Sequence, residues 1–97
     1  MSELAVEQNL ILEAKLNFMA AAPLAETLTA LQNTPVKLDG SNVNHIDMPC
    51  VQILLAAARH WHGTNVPFAL VNLSDAFQSG LTTLGLDPSI FQDQETT

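Results

Sequence analysis

A chain of 97 residues, 47% of them hydrophobic, can bury one sizeable core and is too short for two. Its formal net charge is −7, and Lys15, Lys37 and Arg59 are its only Lys or Arg residues. Phosphate backbones and anionic membrane surfaces require clustered Lys and Arg, so nucleic acid and lipid are poor partners. Cys50 is the single cysteine, which excludes an internal disulfide framework.

No apolar run reaches the ~20 residues of a membrane-spanning helix. The opening Met-Ser-Glu-Leu-Ala-Val-Glu lacks the basic and apolar regions of a secretion signal. The expectation is one soluble cytoplasmic domain over residues 1–97, with residues 1–8 as a short edge strand or arm (its strand at Leu4 to Val6) and 92–97 as a frayed tail.

From Asn9 to Asn17 the residues alternate. Leu10, Leu12, Ala14 and Leu16 fall on one side, which predicts a half-buried strand. A helix is expected to begin between Ala21 and Pro23, because proline is accommodated in a first turn. Leu24, Leu28 and Leu31 supply its apolar face. Asn33-Thr34-Pro35 ends it, and Val36 to Asp39 alternates as a short strand.

Asp39-Gly40-Ser41-Asn42 is turn chemistry. An apolar helix follows just after Asp47, with Val51, Leu54, Leu55, Ala58 and His62 on one face and Gly63 as its terminator. Pro49 biases Met48 away from helical backbone, which makes Met48 the formal N-cap. Val66 to Leu73 is nearly continuous apolar sequence and reads as a strand covered on both faces. Ser74 then caps a helix carrying Phe77, Leu81 and Leu84, which Gly85 closes. Ile90 and Phe91 are expected to fold back onto the core.

Strand–helix–strand from Val36 to Leu73 implies a parallel pair with a right-handed crossover. The fold class is therefore α/β: a mixed sheet of four to five strands with helices mainly on one face. The sequence shows no repeat and no linker.

The chemistry-bearing residues are few. His60 and His62 point about 200° apart on a helix and cannot share an ion, and His45 is isolated. One cysteine cannot complete a zinc site, so no metal is expected. Cys50 lies in the first turn of a helix, where the dipole favours a thiolate, whereas Asp47 opposes one. Its bland reading is a small residue that lets the helix start pack tightly. Asp39 and Asp47 flank one loop; turn-making and capping account for them more simply than acid–base catalysis. Trp61, with Val51, Leu54 and Leu55, reads as core. The scattered glycines form no phosphate loop.

The run Leu38-Asp39-x-Ser41-x-Val43-x-x-Ile46-Asp47-x-x-x-Val51-x-x-Leu54-Leu55 resembles the STAS domain, the fold of bacterial anti-sigma factor antagonists. Pro67-Phe68-Ala69-Leu70, the Ser74–Leu84 helix and Leu84-Gly85-Leu86 are similar too. Within the family, Met48 to Trp61 resembles small single-domain STAS proteins encoded with chemotaxis genes. The resemblance implies a single non-enzymatic docking domain with no cofactor and no catalytic residue. The loop and helix start at residues 45–53 would meet a signalling partner, with His45, Asp47, Met48, Pro49, Cys50 and Gln52 as contacts.

The partner so implied is a chemotaxis histidine kinase or a related phosphorelay component. An anti-sigma factor or a lipid-transport ATPase would use the same fold, and a thiol redox sensor or enzyme acting through Cys50 is the alternative of another class. The family's two Ser/Thr positions after Asp47 hold Met48 and Pro49, and its glycine is Cys50. The resemblance therefore implies docking without the usual phosphorylation switch.

Overall fold

Val36 and Leu38 are wholly buried with exposed Lys37 between them, and the strand they make is the middle of the sheet. In the computed structural model, which describes residues 7–87 and 91, the elements are β1 (Gln8–Ile11), β2 (Lys15–Leu16), α1 (Phe18–Ala30), β3 (Val36–Asp39), β4 (His45–Ile46), α2 (Met48–Gly63), β5 (Phe68–Val71) and α3 (Asp75–Thr83). Strands β1, β3 and β5 form one sheet in that order, and β2 and β4 form a two-stranded sheet. This is the α/β class expected.

Every pairing among the described residues is parallel. The leading strand expected at Leu4 to Val6 lies outside the described residues, as do Ile90 and the tail 92–97.

The register aligns Leu10, Leu38 and Leu70 in one row and Gln8, Val36 and Phe68 in another. Side chains two apart on a strand share a face, so both rows look the same way. Val36, Leu38 and Leu70 on that face are buried against the core. On the opposite face Ile11 is 64% exposed, and Lys37 pairs with Glu7 at 3.9 Å in solvent, an interaction that contributes little. Helices α1 and α2 pack on one another, α2 meets β5, and α3 meets β4.

The first strand breaks where its alternation predicts continuity. Leu12 and Leu16 are buried, but Ala14 is exposed, and its carbonyl accepts from the Asn44 and His45 N–H groups. Helix α1 starts earlier than the proline signal indicates. Asn17 Oδ1 accepts from the N–H groups of Met19 and Ala20 at 3.1 and 3.2 Å, so a side-chain cap sets the boundary and Pro23 falls inside the helix. The ring has no N–H to give the Met19 carbonyl one turn back.

The buried stripe of α2 is Cys50, Val51, Leu54, Ala57, Ala58 and Trp61. His62, expected on that face, is exposed. Its place is taken by Trp61, whose indole N–H donates to the Thr34 carbonyl at 2.7 Å. Gly63 is the last helical residue rather than the terminator. Asn65, at φ 62, is the left-handed residue, with Asn65 N–H donating to His62 O and Val66 N–H to Trp61 O.

Strand β5 is an edge of the described sheet. Leu70 is buried, while Phe68, Ala69 and Val71 are partly exposed, so it is not the doubly covered strand its apolar run suggests. The third helix follows expectation. Ser74 Oγ accepts from Phe77 N–H and donates to the Val43 carbonyl. Phe77 and Leu81 are buried, and Phe91 stacks edge-on against Phe77 with centroids 6.4 Å apart.

Candidate docking site

Two strand-to-helix junctions lie side by side at one end of the fold. Leu16 in β2 is register-paired with Ile46 in β4, and each strand passes through one capping residue, Asn17 or Asp47, into a helix. The junctions are tied together. Asp47 N–H donates to the Leu16 carbonyl at 2.9 Å, and the Cys50 thiol donates to the Asn17 carbonyl at 3.3 Å.

Asp47, not Met48, is the N-cap of α2, with extended backbone at φ −111 and ψ 162. Met48 is helical despite preceding proline, because that steric bias is modest and the first turn has no earlier helical hydrogen bond to lose. Asp47 does not cap with its side chain. Its Oδ1 instead meets His45 Nε2 at 2.8 Å, with both side chains substantially exposed. A contact in that much water, ionic only when the imidazole carries a second proton, orients the two groups more than it stabilises the fold.

The sequence-predicted contacts divide into a surface set and a buried one. His45, Pro49 and Gln52 are exposed, and Asp47 is half-buried. Met48 is also half-buried, with part of its side chain against the core. Cys50 has no exposed area and lies beneath the surface as packing. Burial pushes its thiol pKa up, and the nearby Asp47 and Glu13 carboxylates push it the same way. All three influences favour the neutral thiol, the reverse of what a reactive cysteine requires.

The flanking carboxylates take separate partners, His45 for Asp47 and the turn for Asp39. Asp39 Oδ1 accepts from the Ser41 N–H at 2.8 Å, and its Oδ2 accepts from Asn72 Nδ2 at 3.3 Å. The Ser41 backbone N–H, helped by the side-chain bonds, holds the Asp39 pKa below its ordinary value. This is turn construction. His60 and His62 are both exposed, and no three potential metal ligands converge among the described residues.

Phe18 and Met19 were not legible as site residues. They are 70% and 71% exposed in the first turn of α1, beside the α2 start. Reading Pro23 as the helix start hides them in a connecting segment. The usable signal was Asn17 directly after the buried Leu16, a cap following a strand end.

A second surface feature is a shallow groove of about 290 Å³ between α1 and α2, lined by Leu28, Gln32, Ile53, Ala57 and His60 among others. It gathers no convergent polar set.

No helix among the described residues is long and apolar enough to cross a membrane. Comparison with curated proteins and with solved structures returns no match. A family model described as "Mlab, STAS domain" matches residues 2–92, nearly the whole chain. The small α/β domain with three helices is consistent with that match, and the chain belongs to the STAS domain family, a family of binding and regulatory domains.

Proposed function

We propose that this protein is a non-enzymatic cytoplasmic signalling module that docks a protein partner through the β4–α2 junction, residues 45–53. The partner is a chemotaxis histidine kinase or a related component of that phosphorelay. The observation that carries the reading is the junction itself. Pro49 is exposed, Met48 is half-exposed, and exposed His45 with half-buried Asp47 stands beside them. An apolar centre with a polar rim is the composition of a contact surface.

Family membership supports a binding role, and the residues of the junction argue for docking without the usual switch. Met48, Pro49 and Cys50 carry no hydroxyl, so the helix start offers no Ser, Thr or Tyr acceptor to a kinase. Regulation then lies with the partner's own state or abundance.

The test is calorimetric titration of the purified kinase of the same organism with the wild type, Pro49→Asp and Met48→Asp. Pro49→Asp is the cleaner variant. Its side chain is exposed, and a carboxylate in the first turn suits the helix dipole, so folding is retained. It places negative charge at one of the two positions where the resemblance puts a family Ser or Thr. Docking weakened by roughly tenfold or more is expected for both variants. Unchanged affinity rules out this surface. A phosphate found by mass on residues 41–50 of protein recovered from the kinase reaction rules out the switchless reading.

A further inference from the structure

Among the described residues Phe18 and Met19 have no packing role, since both stand outside the hydrophobic core and its partly buried margin. Consecutive exposed Phe and Met are unfavourable in water and mark a contact. The Leu16–Ile46 register makes them the counterparts in α1 of Met48 and Pro49 in α2, as the first two residues after each cap.

Among the side chains nearby, carboxylates outnumber lysines, an excess that the partial positive charge of the two helix starts offsets in part. Glu13 and Asp47 both lie close enough to act on the Cys50 thiol. Lys15 is the one Lys or Arg at this end. Lys37 is paired with Glu7 on the open sheet face, and Arg59 lies near the far end of α2. Around them the whole chain carries −7, a field that draws in basic surfaces and repels acidic ones.

Resting on the docking reading above, we infer that the contact surface spans both helix starts, with Phe18 and Met19 as apolar anchors beside Met48 and Pro49, and that it receives a protein segment whose apolar side chains are flanked by lysine or arginine. An anionic membrane, the other acceptor of an exposed Phe–Met pair, is opposed by the same charge.

The test is a titration of the 15N-labelled full chain, followed by amide chemical shifts. The probes are two synthetic amphipathic peptides with the same leucine face, one with lysine and one with glutamate at its polar positions, and vesicles of phosphatidylcholine with phosphatidylglycerol. The lysine peptide is expected to shift residues 15–19 and 45–52 saturably, and the glutamate peptide and vesicles to shift nothing. Phe18→Ser with Met19→Ser should weaken the lysine peptide by roughly tenfold while the thermal midpoint stays put.

The inference is overturned by equal response to the two peptides, by no response up to about 1 mM, by shifts centred on Ala25, Gln32 and His60 in the α1–α2 groove, or by vesicle binding. A kinase whose docking is lost with Pro49→Asp but kept with the Phe18→Ser, Met19→Ser double variant overturns the inference and leaves the docking reading standing.

Discussion

Gly80 shows how one missing side chain sets the distance between two elements. A Cβ built there lies 2.6 Å from Ile46 Cγ2, and Ile46 is buried and directly precedes Asp47. The methyl belongs to a β-branched residue with little rotamer freedom, so it cannot swing aside. Gly80→Ala gains about 1 kcal/mol of helix propensity and incurs about 1–3 kcal/mol of overpacking. Packing wins, and a lower thermal midpoint is expected. Gly63 supplies the contrast. A Cβ there meets nothing within 4 Å, and its φ is not positive. Gly63→Ala therefore raises the midpoint, by about 0.5–1 kcal/mol in stability. Calorimetric scans of the two variants decide it: a rise for both shows that α3 does not press on β4.

At the scale of elements, pattern located the helices and their inward faces, and local chemistry misled at their ends. Leu24 and Leu28, Val51 and Leu54, and Phe77 and Leu81 are all buried as their spacing requires. The boundaries turned on competition between signals. Pro23 advertised a start that Asn17 had already made, and Gly63 advertised a stop that falls at Asn65. In the second case tertiary packing decides. Extending α2 to Gly63 brings Trp61 under Thr34, and the left-handed turn at Asn65 sends Val66 back against the core.

The proposed docking surface was legible only in part, because it is strand register, which no local spacing encodes, that sets the start of α1 beside the start of α2. Asn65 accordingly carries a measurable load. Asn65→Ala at φ 62 should lower stability by about 1 kcal/mol, and Asn65→Gly should hold or raise it. Urea unfolding midpoints that move the other way show that the turn is held by its neighbours rather than by its own conformational preference.

Over the whole molecule, parallel strands leave one problem: each strand end must be tied to a neighbour distant in sequence. Asp39 does this where β3 and β5 end together. Its carboxylate takes the Ser41 N–H on one oxygen and the Asn72 amide on the other, and Asn72, at φ 56, turns the chain out of β5. Gly40 N–H adds a bond to the Val71 carbonyl and Ser74 N–H one to the Gly40 carbonyl, which carries the tie into the start of α3.

These donors favour the ionised carboxylate, so the folded pKa lies below the ordinary 3.8. The sign follows from linkage. The folded state holds its proton less tightly than the unfolded chain, so Asp39 stabilises the fold above the unfolded value, and the contribution disappears as pH falls through the folded one. The other carboxylates titrate nearby and relieve the −7 charge, so the absolute acid curve cannot isolate one group. The difference between wild type and Asp39→Asn can. That gap in thermal midpoint should be constant from about pH 7 to about pH 5 and close as pH falls past 3.8. A gap that persists unchanged to low pH would mean that Asp39 holds the strand ends by its shape as a hydrogen-bond acceptor, with its charge contributing nothing.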